Sequence, residues 1–270
     1  MKVEARDLAF GYRGHPVGRG VSLSLVAGEV MCLLGPNGSG KTTLFKTLLG
    51  LLPPQGGQVL VDGVDLRSCK RDEIARKVSY VPQAHAAFFP FTVRDVVLMG
   101  RTAHPGVFSS PSRLDHEGAG AALERMGLGH LCDSVYTRIS GGERQLTLVA
   151  RALAQDASIV VMDEPTANLD FGNQVRVLEH VQSLARAGIG VLLSTHDPDH
   201  AFLCADRVAL LREGTVRGIG TPDAVLTEEA LRELYNVTVR ITAVDDGAVR
   251  RRVCVPSLAG RSEQGRDARL

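Results

Sequence analysis

Nine consecutive residues, Gly35, Pro36, Asn37, Gly38, Ser39, Gly40, Lys41, Thr42 and Thr43, have the composition of a phosphate cradle. The first eight match the pattern G-x-x-x-x-G-K-[ST]. Glycines let successive backbone N–H groups curl round phosphate oxygens without Cβ clashes. Lys41 is placed to neutralise β- and γ-phosphate charge, and Thr42 to offer its hydroxyl to Mg²⁺. The expected ligand of the run, through Thr43, is a nucleotide's β- and γ-phosphates with Mg²⁺.

Further along, Asp163 and Glu164 end the apolar run SIVVM. Carboxylates at the C-terminal edge of a buried strand lie beside such a phosphate loop. Asp163 then serves Mg²⁺, and Glu164 orients or deprotonates an attacking water. His196 closes a second apolar run, VLLST, and there an imidazole donor can stabilise charge on the γ-phosphate. Two other readings stay open for it: a structural histidine, or a metal set with Asp197, Asp199 and His200. Otherwise Asp197, Asp199 and His200 read as surface or capping groups. Gln83 follows the strand VSYVP, where its amide either reaches Mg²⁺ and water or is a solvated loop side chain.

A second anion site is legible at Ser140, Gly141, Gly142 and Glu143. Ser140 and Glu143 have capping-box spacing, and an apolar helical stripe at Leu146, Val149, Ala150 and Leu153 follows. Two glycines in the first turn oppose helix propensity but leave bare N–H groups facing outward, which suits an anion.

The elements that must position these groups follow from apolar patterning. The continuous run at 30–34 predicts a buried parallel strand feeding the phosphate loop, and a helix over 42–52 stopped by Pro53 and Pro54. Further strands are expected at 3–5, 21–29, 56–62, 77–81, 158–164, 190–195 and 207–214. Helices are expected at 171–187, ended by Gly188, and at 198–205. Between residues 84 and 152 strand signals fade and helices at 92–100, 115–127 and 143–154 replace them. The alternation predicts an α/β core with a mostly parallel sheet covered on both faces, and a helical lobe inserted into it. The end beyond 240 is arginine-rich, with one strand expected near 252–255.

The chain has 270 residues, of which 44% are hydrophobic and 23% charged, so it can bury a sizeable core. With 31 basic against 30 acidic residues, no overall field draws it to nucleic acid or a membrane surface. Five scattered cysteines without C-x-x-C spacing suit a reducing compartment. No apolar run reaches the roughly 20 residues of a membrane span, and no signal-peptide pattern opens the chain.

The ordered motifs GPNGSGKTT, YVPQ, ISGGERQ, VVMDEP, ANLD and STHD resemble the nucleotide-binding subunit of ATP-binding cassette (ABC) transporters, over about residues 1–237. The resemblance implies a P-loop NTPase (RecA-like) core, an N-terminal antiparallel β subdomain and an inserted α-helical subdomain at about 84–152. Residues 1–240 would be the ATPase domain, and 241–270 a short, partly disordered extension. It also implies a head-to-tail dimer with a second copy, in which Ser140, Gly141 and Gly142 bind the γ-phosphate held by the partner. The family's usual LSGGQ here has Ile139 and Glu143 at its outer positions. By the same resemblance Tyr12, or alternatively Phe10, stacks on adenine, and Asp170 in ANLD links the two sites.

A single cassette without a span implies two separate permease subunits, a substrate-binding protein acting through them, and a place on the cytoplasmic face of the cell membrane. Residues 91–128 and 226–237 resemble importers of metal chelates such as ferric siderophores, haem, cobalamin or molybdate-type oxyanions, although Ala103 stands where many relatives carry proline. An amino-acid or phosphate importer, or an exporter, would share the same catalytic motifs. A non-transport ABC ATPase usually has tandem cassettes or a long coiled coil, and a nucleotide kinase lacks the SGG segment. An RNA contact through Arg250, Arg251, Arg252, Arg261, Arg266 and Arg269 is opposed by Asp245, Asp246, Glu263 and Asp267, so no nucleic acid is expected.

Overall fold

The computed structural model describes residues 1–83, 90–103, 110–245, 247 and 250–257. Its centre is β3 (Val30–Leu34), whose five residues are all buried. Burial on both faces explains the unbroken apolar run: Val30, Cys32 and Leu34 point into one core, Met31 and Leu33 into another.

The chain enters through β1 (Lys2–Tyr12) and β2 (His15–Val26). These strands are longer than the fragments expected at 3–5 and 21–29. Register shifts between Ala5 and Gly11 interrupt the alternation that would have marked them as continuous. With β4 (Gly56–Val61) and the two-residue β5 (Val64–Asp65) they form an antiparallel sheet of order β2-β1-β4-β5.

After β3 comes α1 (Lys41–Leu48). It ends before the expected stop at Pro53, because Gly50 turns the chain at φ +68 with its N–H on the Thr47 carbonyl. A short α2 (Arg71–Ala75) leads to β6 (Val78–Val81). The helical lobe then contributes α3 (Val93–Leu98), α4 (Arg113–Arg125) and α5 (Gly141–Ala154). Residues 84–89 and 104–109 of this lobe lie outside the described residues, as do Arg261, Arg266 and Arg269 of the tail.

The core resumes with β7 (Ile159–Met162), α6 (Phe171–Arg186), β8 (Gly190–Thr195), α7 (Pro198–Cys204) and β9 (Arg207–Arg212). An antiparallel edge strand, β10 (Thr215–Gly220), was not expected: its glycines and arginine dilute the apolar signal. The six-stranded sheet has the order β10-β9-β3-β8-β7-β6, with the five strands from β9 to β6 parallel. One face packs on α1 and the antiparallel sheet; the other packs on the helices of the lobe and on α6 and α7.

Two short helices follow, α8 (Pro222–Val225) and α9 (Glu228–Tyr235). Where one strand was expected near 252–255, two are present: β11 (Val239–Asp245) pairs antiparallel with β12 (Arg250–Pro256). β11 begins before residue 241 and therefore crosses the expected boundary of the extension. The hairpin is tied to α7, where Asp199 Oδ1 accepts from the Cys254 N–H at 2.7 Å.

Candidate functional site

Parallel strands bring their C-terminal ends to one edge of the sheet, and the chemical groups gather there. The loop after β3 passes so close to β9 that a Cβ on Gly35 would lie 2.3 Å from the Leu211 carbonyl oxygen. Gly40 takes φ +103 as the chain turns into α1, a conformation that only glycine adopts without strain. Lys41 is buried, 5% exposed, and donates to the carbonyls of Gly35 at 2.8 Å and Pro36 at 3.1 Å. Ser39 Oγ is buried and lacks a hydrogen-bond partner, although Ser39 N–H bonds to the Pro36 carbonyl. A buried hydroxyl left unpaired is costly unless a ligand completes it, and a phosphate oxygen fits that need.

Beside the loop lies a cleft of about 470 Å³, lined by Val17, Asn37, Gly38, Gly40, Lys41, Thr42, Thr43, Gln83 and Glu164. Gln83, half-buried after β6, is thus brought to the phosphate loop rather than left in solvent. Val17, on β2, has no motif and went unseen in the sequence.

Asp163 leaves β7 fully buried and accepts from Ser194 Oγ at 2.7 Å and from Tyr80 Oη at 3.4 Å. Burial, with Asp163 adjacent, pushes the Tyr80 phenol up, so it stays a neutral donor. The carboxylate of Asp163 and the hydroxyl of Thr42 are hard oxygen donors of the kind Mg²⁺ takes. Glu164 follows with φ +46, a left-handed conformation costing on the order of 1 kcal/mol or more for a non-glycine residue. Its N–H bonds to Ser194 Oγ at 2.9 Å, its Oε1 pairs with Lys41 Nζ at 3.2 Å, and its Oε2 lies 3.7 Å from His196 Nδ1. Ser194 therefore braces both carboxylates. Sequence reasoning missed it, because one hydroxyl inside VLLST carries no spacing signal.

His196 is half exposed beside Glu164. The metal alternative finds no support: among the described residues no three His, Cys, Asp or Glu side chains form a metal cluster. Asp197 caps α7 by accepting from the Asp199 N–H at 2.9 Å. His200, expected as a surface or capping group, is instead buried at 8% exposure, because the first turn of α7 folds under the end of β8. Phe10 is fully buried and cannot stack on a base, whereas Tyr12, 44% exposed at the end of β1, can.

The second glycine site stands apart. None of Ser140, Gly141, Gly142 and Glu143 lines the cleft at the phosphate loop. Ser140 caps α5, accepting from Glu143 N–H at 3.3 Å while Glu143 Oε2 accepts from Ser140 N–H at 2.7 Å. That hydroxyl and N–H hold the Glu143 carboxyl below its usual range. The carboxylate is therefore turned back on the cap, as its spacing suggested. Gly141 is exposed, and a Cβ there would meet only Leu169 Cδ2 at 3.8 Å. A Cβ on Gly142 would strike Asn173 Cγ at 2.4 Å. Asn173 in turn bonds Asp170, the N-cap of α6, at 2.9 Å through its N–H and 2.7 Å through its side chain.

The ABC transporter family model matches residues 19–167. The chain is 42% identical over 238 residues to an uncharacterised ABC transporter ATP-binding protein of Haemophilus influenzae, covering 88% of this chain and 90% of that protein. A hemin import ATP-binding protein of Nocardia farcinica is 40% identical over 221 residues, covering 82% of this chain and 76% of its own length. Among solved structures, an inward-facing metal-chelate type ABC transporter superposes with a TM-score of 0.84 at 30% identity, covering 95% of this chain and 97% of that chain.

Proposed function

We propose that this chain, which belongs to the ABC transporter family, is the ATP-hydrolysing subunit that energises import of a metal chelate. The observation that carries the hydrolytic reading is the meeting of Lys41 and Glu164 at 3.2 Å, where the phosphate loop and the end of β7 converge. An incoming γ-phosphate competes with Glu164 for the Lys41 ammonium and accepts from the unpaired Ser39 hydroxyl. Glu164 so released takes the proton of the attacking water, and the exposed His196 supplies an imidazole to the γ-phosphate. Gln83 orients water from the other side of the cleft. Asp163 and Thr42 are the groups that would hold Mg²⁺, which when bound neutralises charge on the phosphate oxygens. Tyr12 stacks on the adenine.

The exposed start of α5 completes the site of a second copy. Ser140 presents its hydroxyl, and Gly141 and Gly142 their N–H groups, to the γ-phosphate of the partner, and Asp170 lies beside them through Asn173. Import is supported by the relatives named as hemin import proteins and by the metal-chelate type transporter that the fold matches. Among the described residues no helix is long and apolar enough to cross a membrane. By its likeness to import ATP-binding proteins, the chain works with two permease subunits at the cytoplasmic face and reaches a substrate-binding protein only through them.

Glu164→Gln should bind ATP with near wild-type affinity, dimerise on ATP, and lose at least about a hundredfold in turnover. Phosphate release and size-exclusion with light scattering read both effects. Normal hydrolysis by this variant would remove Glu164 as the base.

A further inference from the structure

His200 sits in the first turn of α7 between two loops of the site. Its Nδ1 lies 3.2 Å from Thr195 Oγ1 and 3.3 Å from Thr166 Oγ1, and all three side chains are buried. Thr195 directly precedes His196. Thr166 lies between Glu164 and Asp170, in the segment joining β7 to α6. On the other side of the ring, Nε2 is 3.5 Å from Asp197 Oδ2. That carboxylate places the ring proton on Nε2, which leaves a lone pair at Nδ1. Thr195 Oγ1 accepts from the Asp197 N–H at 3.1 Å and keeps its own hydrogen to donate to the ring. Burial depresses the His200 pKa, which keeps the acceptor available at neutral pH. Nδ1 is thus within hydrogen-bond distance of a hydroxyl from each of two loops and serves both as a shared, three-centre acceptor.

We propose that His200 is a positioning residue for ATP hydrolysis, whose Nδ1 ties the loop carrying Glu164 and Asp170 to the turn carrying His196. This rests on the reading of Glu164 and His196 as hydrolytic groups. His200 touches no reacting atom; it fixes the separation of two groups that do, and errors of an ångström there are costly to turnover.

The test compares the full chain with His200→Leu, His200→Asn, Thr166→Val and the double variant His200→Leu/Thr166→Val. Turnover, KM for ATP and binding of a fluorescent ATP analogue are measured, with thermal unfolding of each protein. His200→Leu and Thr166→Val should each lower kcat between about ten- and a hundredfold, with nucleotide affinity changed less than about twofold. The double variant should be no worse than His200→Leu, since both remove one tie. His200→Asn, whose Oδ1 stands where Nδ1 was, should restore most of the turnover. Wild-type kcat in Thr166→Val, or a folded His200→Asn as slow as His200→Leu, would overturn the proposal. Thr166→Val keeps the question open to measurement even if His200→Leu does not fold. If Glu164→Gln turns over normally while His200→Leu does not, the base assignment fails and the tie stands.

Discussion

Glu164 keeps a backbone conformation that a glutamate does not choose for itself, and Ser194 shows why it holds. The hydroxyl of Ser194 accepts the Glu164 N–H and donates to Asp163, so one atom fixes the φ of one carboxylate and the rotamer of the other. Replacing it by alanine leaves the Glu164 N–H without its partner and frees Asp163 to turn. Ser194→Ala should lower kcat about tenfold or more, change KM less, and cost about 1–3 kcal/mol of stability. Steady-state kinetics and denaturant unfolding read the two effects, and threonine at this position should recover both. The acidic pair itself was legible, because its place after an apolar run says which end of the sheet it occupies. The brace was not, because Ser194 and Asp163 are 31 residues apart and meet only once β7 and β8 are neighbours. His200 was misjudged for a related reason: its segment, DPDH, is polar, and nothing local says that its ring turns under the sheet.

At the scale of elements, what the apolar pattern reveals depends on how completely an element is buried. β3 and β8 match the expected residues because both faces of each are covered. The C-terminal hairpin is mostly exposed and arginine-rich, so β11 left no such trace. The two glycines that open α5 looked alike in the sequence, yet the fold gives them different constraints. Gly141 has room for a Cβ, which would meet only Leu169 at van der Waals distance, while Gly142 is pressed against Asn173 of α6, which holds the Asp170 cap. Gly142→Ala should therefore destabilise the chain by about 0.5–2 kcal/mol through displacement of that cap. The loss should be smaller when Asn173 is already alanine, because the obstructing side chain is gone. Turnover should stay low in both backgrounds, since the added methyl also stands where a phosphate must approach. Thermal unfolding and ATPase rates of the four proteins in this cycle separate the packing role of Gly142 from its binding role. Full recovery of turnover in the double variant would reduce the glycine to packing alone.

The molecule as a whole presents two candidate anion sites that do not meet within one chain. The cleft at the phosphate loop excludes Ser140 to Glu143, and of these Ser140 and Gly141 lie exposed at the start of a fourteen-residue helix. This separation makes a strong claim about assembly, and it can be tested without knowing the permease or the chelate. Lys41→Ala removes the buried ammonium of the phosphate loop. Gly141→Asp puts a carboxylate at the other site, where the structure has room for a side chain and the fold should survive. Each variant alone should be nearly inactive, since every site in its dimer carries a defect. In a mixed dimer both defects fall on one site, and the other is built wholly from unaltered parts. Random pairing makes about half the dimers mixed, so about a quarter of wild-type turnover should return if the sites act independently, and less if they are coupled. Activity should rise with total protein concentration as pairing does. If instead the helix start served its own chain, mixing would produce nothing beyond the sum of the two inactive proteins. Phosphate release measured across a series of mixing ratios decides between the two arrangements, because only sites assembled from both chains give a maximum near equal amounts.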